Sequence, residues 1–171
     1  ANIYTPHVFF GLAVIGLFLI GLGLLWVTSI PDFAAMRDHS NGWKQRLGKT
    51  LSRGFVGTDG QWVSLRARVG MMGTFYFMFL IFVHILYSVN FSLELVAGWK
   101  DAIYPMYHAV TGIQAGIATT VIALFLFRKY WKLEEFIRID QFWALSKLMF
   151  ATTIFWLYFF ICAFTIFWYG R

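Results

Sequence analysis

The sequence predicts an all-α integral membrane protein: a four-helix transmembrane bundle with one further amphipathic helix on the membrane surface. Three observations carry that prediction. Four apolar runs, at 8–30, 69–89, 107–127 and 144–168, are each close to or longer than the ~20 residues that a helix rising 1.5 Å per residue needs to cross ~30 Å of hydrocarbon. Charged residues make up only 13% of the chain and hydrophobic ones 60%, whereas a soluble domain averages about 25% charged. The cations are also confined to the segments between apolar runs. That placement follows from membrane topology and argues against nucleic-acid binding, despite a net charge of +6.

The first span, 8–30, is closed by Pro31, which cannot continue a helical hydrogen-bond ladder. Gly11, Gly16, Gly21 and Gly23 would weaken this helix in water, but in lipid they let a neighbour approach closely. Residues 32–68 read as a polar loop carrying Arg37, Lys44, Arg46, Lys49, Arg53, Arg66 and Arg68. Within it Gly48-Lys49-Thr50 has the ending of a phosphate loop, but that motif requires glycine five places before Gly48, where Trp43 stands. The phosphate-loop reading is rejected.

Spans 69–89 and 107–127, joined by a short acidic and aromatic connection at 90–106, read as a transmembrane hairpin around which the chain is organised. It holds His84, the one histidine well inside an apolar run. The basic segment 128–143 places Trp131, Leu133, Phe136, Ile137 and Trp143 at roughly helical spacing against Lys132, Glu134, Glu135 and Asp140, the pattern of an amphipathic surface helix. The last span, 144–168, is crowded with aromatic residues, with rings suited to the membrane interface at both ends.

Charge then orients the chain. The basic segments following the first and third spans hold twelve of the fourteen Lys and Arg residues, counting Lys147, and the 90–106 connection holds only Lys100. The positive-inside bias puts both basic segments in the cytoplasm, and both ends of the sequence outside. The sequence begins with Ala and stops directly after an aromatic apolar run, so it is expected to be one part of a longer protein. Cys162 is the single cysteine and has no internal partner for a disulfide.

Ionisable and amide groups inside a membrane are functional candidates by default. His7, His84 and His108 are expected to gather at one membrane face, joined by Glu94 and Asp101. Imidazoles there fit three roles: a hydrogen-bonded pair across helices, a quinone or proton path, or metal or haem ligation. Gln114 needs a partner in lipid, where an unpaired amide costs several kcal/mol. Gly112 and Gly116 form a small-xxx-small pair suited to helix packing, and Lys147 fits either snorkelling to headgroups or a proton entry path. No nucleophile–base set, cysteine cluster or nucleotide motif is present, so the chain does not read as a self-sufficient enzyme, and no metal site is assigned.

Two segments carry a family resemblance. One is VNFSLELVAGWKDAIYPMYHAVTGIQAGIA (89–118), with Trp99, Ile103, Tyr107, Gly112 and Gly116. The other is SKLMFATTIFWLYFFICAFTIFWYG (146–170), with Lys147 to Ala151, then Phe155 to Tyr158, then Phe167 to Gly170. Together with the GTDG approach to the second span, Gly57 to Gly60, they resemble the NrfD-type membrane subunits of bacterial quinone-linked redox complexes. The closest likeness is to the F-type subunit of alternative complex III, a quinol:electron-acceptor oxidoreductase. The resemblance implies a helical subunit without its own haem, beside a sister NrfD-type subunit, with multihaem cytochrome c and iron–sulfur subunits on the outer face. Its implied roles are anchoring, support of a quinol site and proton translocation. A quinol is the ligand it allows, and His84, Asn90, His108, Gln114 and Lys147 are the residues expected on a quinone or proton path. Family members have more spans than four, and many carry an acidic residue where this chain has Asn90, an amide that cannot hand on a proton. Two other classes stay open on sequence: a haem b or quinone-binding anchor of a polysulfide- or dimethyl-sulfoxide-type reductase, and a structural or pore-forming four-helix protein.

The orientation has a direct test. A cysteine introduced between Lys44 and Lys49 is expected to resist a membrane-impermeant thiol reagent in intact cells and to react once the membrane is opened. Labelling from the exterior would reverse the topology.

Overall fold

The computed structural model of the chain describes residues 5–98 and 101–170, so Trp99, Lys100 and Arg171 lie outside the described residues. The described chain is all-helical: α1 (Pro6–Thr28), α2 (Ile30–His39), α3 (Trp43–Leu51), α4 (Asp59–Ser88) continuing into a π-helical turn (Val89–Leu93), α5 (Tyr104–Tyr130) and α6 (Ile139–Tyr169). Four of these helices, α1, α4 with its π turn, α5 and α6, are long and apolar enough to cross a membrane. Very little of any of the four is covered by the rest of the chain, and no residue of α6 is buried. In water, leaving that much Phe, Leu and Ile exposed would forfeit ~25 cal/mol for every Å². In hydrocarbon it forfeits nothing, and the chain is a multi-pass membrane protein.

The chain divides into two compact units, Ala1–Val83 and His84–Arg171. In the first, α1 ends at Thr28, two residues before the expected end of the span. Ser29 leaves the helical conformation, and Thr28 turns its hydroxyl back onto the Leu24 and Leu25 carbonyls at 3.1 and 2.9 Å. Pro31 does not simply stop the span. It falls in the first turn of α2, where a missing N–H costs nothing. The stretch expected as a polar loop over 32–68 is instead mostly helix: α2, α3 and the first ten residues of α4. The reason is packing that composition conceals. Val27, Ile30, Ala34, Phe55 and Leu65 close into a small core, with Trp26, Val69 and Met72 against it. Arg37 donates from Nη1 to the Phe55 carbonyl at 3.0 Å, and from Nε and Nη2 to the two carboxylate oxygens of Asp38 at 2.7 and 2.9 Å, holding that carboxyl below its ordinary pKa. Gln61 Oε1 collects the amides of Val56 and Gly57 at 2.9 and 3.0 Å, gathering the turn that leads into α4.

Gly48, the residue that gave the false phosphate-loop ending, is a packing position. A methyl group added there would lie 2.6 Å from the Arg37 amide nitrogen and 2.8 Å from the Phe33 carbonyl oxygen, so α3 crosses α2 backbone against backbone at this point. The α1 glycines work differently. Methyls at Gly16, Gly21 and Gly23 would meet Phe79, Tyr76 and Met72 of α4 at 3.5, 3.2 and 3.5 Å, whereas Gly11 meets nothing within 4 Å. Three of the four therefore receive large side chains rather than a neighbouring backbone.

In the second unit, Asp101 Oδ1 accepts the amides of Ile103 and Tyr104 at 2.9 and 3.1 Å, and Pro105 occupies the first turn of α5. α5 and α6 pack as a hairpin. The surface amphipathic helix expected over 128–143 does not form: α5 takes 128–130, α6 takes 139–143, and 131–138 is turn and irregular chain. Lys132 is left-handed (φ 52°) and Arg138 is extended, which breaks the helix twice. Arg128 Nη1 bonds the Ile137 carbonyl at 2.9 Å across the reversal, and Ile137 is buried while Trp131 and Phe136 stay exposed. A continuous 16-residue helix would travel ~24 Å at 1.5 Å per residue and carry α6 away from α5.

Gly48→Ala reverses an ordinary expectation. Alanine in place of a helical glycine favours the helix by about 1 kcal/mol. At Gly48 the collision with the α2 backbone outweighs that gain, and the purified protein is expected to lose about 1–3 kcal/mol, read as a lower unfolding temperature. Gly70→Ala on α4, where a methyl meets nothing within 4 Å, is expected to be neutral or stabilising.

Candidate functional site

The second unit opens on the last turn of α4, where His84 is half-buried. The fully buried Ser88 donates its hydroxyl to the His84 carbonyl at 2.7 Å. Such back-bonding competes with the helical ladder and bends it. One residue later the ladder widens into the π turn, where the Glu94 amide reaches the Val89 carbonyl at 3.2 Å. Asn90 sits in that turn with 6% of its surface exposed. Single π turns of this kind recur at functional positions.

The His84 ring is seated on Gly112 of α5. A methyl group there would lie 2.8 Å from Nε2 and 3.0 Å from Cδ2, so only glycine leaves room for the imidazole. Beside it, His108 is ringed by three aromatic neighbours: His84 at 6.0 Å between centroids, Tyr87 at 5.3 Å and Tyr104 at 6.2 Å. Tyr87 in turn stacks on Phe91 at 5.6 Å. His108 Nδ1 is buried, with no hydrogen-bond partner among the described residues. The result is a ring-lined cluster of two imidazoles and two phenols. Imidazole both donates and accepts, and phenol does the same more weakly. This chemistry suits a ligand with an aromatic body and hydroxyl or carbonyl ends.

The sequence-nominated residues divide accordingly. His84, His108 and Gly112 come together, with Asn90 six residues beyond His84 in the π turn. The carboxylates expected to join the histidines do not. Asp101 is spent on the start of α5, and Glu94 is exposed at the close of the π turn. His7 belongs to the first unit, in the first turn of α1. Among the described residues no three His, Cys, Asp or Glu side chains converge as a metal cage.

Gln114 finds its partner within the chain, donating from Nε2 to Thr153 Oγ1 on α6 at 3.0 Å. Tyr107 packs on Trp156, which stacks on Phe160, each pair 5.6 Å apart. Gly116 meets nothing within 4 Å, so Gly112 and Gly116 do not act as one seam inside this unit. Lys147 is exposed, its ammonium 5.2 Å from the Trp143 ring centroid, one turn back on α6. With α5 and α6 registered by Gln114 on Thr153 and Tyr107 on Trp156, Lys147 stands about ten residues along α5 from His108, or ~15 Å. It is not part of the cluster.

The sequence reading missed Tyr87, Tyr104 and Ser88. The two tyrosines were findable: Tyr87 is three residues after His84 and Tyr104 four before His108, the spacings that share a helix face. The π turn has no comparable sequence signal. Comparison of the sequence with protein-family models and with curated proteins gave no match.

The His84–Gly112 seat predicts a compensating pair. Gly112→Ala is expected to destabilise the protein by about 1–3 kcal/mol, because the imidazole must leave its position. Adding His84→Ala, which empties the space, is expected to recover most of that loss in thermal unfolding, and equal losses in single and double variants would remove the contact from the account.

Proposed function

We propose that the chain is an integral membrane subunit of a bacterial quinol-oxidising electron-transfer complex of the alternative complex III type, supporting the quinol site or proton translocation. The observation that carries this reading is the imidazole pair in a ring-lined cluster at the end of α4 and the start of α5, with one buried nitrogen that has no partner among the described residues. The NrfD-type resemblance over 89–118 and 146–170 adds to it.

Oxidation of a quinol releases two electrons and two protons. In this reading His84 and His108 bond the two quinol hydroxyls, and each neutral imidazole takes one of the two departing protons, general-base work worth about 10²–10⁴ in rate. Tyr87 and Tyr104 supply flat walls for the ring. Asn90 can hold a hydroxyl or carbonyl by hydrogen bonding, but as an amide it passes no proton on, so proton transfer rests on the imidazoles. Gln114 braces α5 against α6, and Lys147 snorkels towards headgroups. The electrons leave to c-type haem and iron–sulfur clusters in partner subunits, beside a sister membrane subunit.

The test is purification of the native complex from membranes. Multihaem cytochrome c and iron–sulfur subunits are expected to co-purify, and His84→Gln and His108→Gln are each expected to lower quinol oxidation about 100-fold, within the range for removal of a general base, while assembly persists. A complex free of haem and iron–sulfur partners, or full quinol oxidation in both variants, would end this reading.

A further inference from the structure

We infer that the first unit holds an anionic phospholipid, its phosphate between Arg53 and Arg68 and an acyl chain along the α1–α4 seam. This inference is independent of the redox reading above.

A cleft of about 780 Å³ opens where α1 ends and α4 begins. Trp26, Ser52, Arg53, Thr58, Ser64 and Arg68 are among the residues that line it, giving two cations and three hydroxyls beside apolar walls. Among the described residues neither guanidinium has a carboxylate partner. Among the described residues the ion pair is that of Arg37 with Asp38, which does not line the cleft. Arg53 lies over the Trp26 ring at 5.5 Å, and the buried Trp26 Nε1 lacks a hydrogen-bond acceptor in the described chain. Arg53 also adopts a left-handed backbone (φ 48°), which glycine takes freely and residues with a Cβ adopt at a cost. The chain thus keeps a long cation where the backbone favours glycine. Paired arginines offer the forked donors that fit phosphate oxygens, and basic pockets at the ends of membrane helices hold anionic headgroups.

The second part of the site separates a lipid from a free anion. Leu19, Ile20 and Gly23 of α1 and Met71, Met72 and Phe75 of α4 line a groove of about 500 Å³ with almost wholly apolar walls. These positions continue the cleft's own faces at spacings of three and four: Trp26 to Gly23 to Leu19 on α1, and Arg68 to Met71 to Phe75 on α4. The polar cleft therefore passes into a hydrocarbon-lined groove along one seam. A phosphate alone would use only the first part. A phospholipid uses both, and the cytoplasmic side expected for this end of the spans is where anionic headgroups concentrate.

Delipidated protein in detergent micelles, titrated with phosphatidylglycerol or phosphatidylcholine and read by native mass spectrometry, tests this. Phosphatidylglycerol is expected to be retained preferentially, with affinity reduced roughly tenfold by Arg53→Gln and again by Arg68→Gln, the scale of one charge-assisted bond each. Lys44→Gln and Arg46→Gln, basic residues off the cleft, should change it less than about twofold, since diffuse surface charge is screened. Ser64→Trp, at an exposed position, should block the cleft without deleting a charge and reproduce the loss, which keeps the test decisive if an arginine variant unfolds. Equal binding of the two lipids, or equal losses from the off-cleft variants, overturns the site. Inorganic phosphate competing as tightly as phosphatidylglycerol overturns the lipid and leaves an anion site.

Discussion

A peptide group in hydrocarbon has no water to bond, and each one left unpaired costs several kcal/mol. That constraint decides most of this molecule. It forces the four apolar runs into helices whose hydrogen bonds are internal, and it makes every departure from the helical ladder conspicuous. The departures cluster at helix ends: the break at Ser29, where Thr28 covers the loose carbonyls; the π turn at Val89–Leu93, directly after Ser88; and the reversal over 131–138, tied by Arg128 to Ile137. Where the ladder loosens, backbone and side chains become available for other partners. The imidazole cluster and the Arg53–Arg68 cleft both lie at such places.

The same solvent explains where the chain does and does not build a core. Lipid rewards no burial of Leu or Phe, so the spans leave their faces bare. The buried cluster of Val27, Ile30, Ala34, Phe55 and Leu65 forms at the end of α1, where α2, α3 and the start of α4 meet. There water is at hand and apolar burial again contributes. Contacts along the spans are instead made by shape and polarity: large side chains of α4 on the α1 glycines, and Gln114 on Thr153 between α5 and α6.

Glycine has three distinct uses in the molecule, and they separate by what the missing Cβ would have struck. At Gly48 it is backbone, and the result is a tight crossing of two short helices. At Gly16, Gly21 and Gly23 it is a large side chain on α4. At Gly112 it is the imidazole of His84, so this glycine serves a candidate site rather than the fold alone. The small-xxx-small pattern that nominated Gly112 together with Gly116 could not tell these uses apart.

The sequence by itself determined the all-helical class, the four spans to within a few residues of their cores, and the confinement of cations to the segments between them. Each follows from local hydropathy and the length of a bilayer crossing, which are properties of consecutive residues. It also nominated His84, His108 and Gln114 as residues needing an explanation, because polar groups inside apolar runs stand out. Only the tertiary structure decided that residues 30–39 and 43–51 are helical, that 131–138 is a turn, that Asp101 starts a helix instead of facing the histidines, and that His84 rests on Gly112. Those outcomes depend on contacts between residues distant in the chain, such as Arg37 with Phe55, Gly48 with Arg37 or His84 with Gly112. Periodicity along a single helix holds no information about what a neighbouring helix brings to meet it.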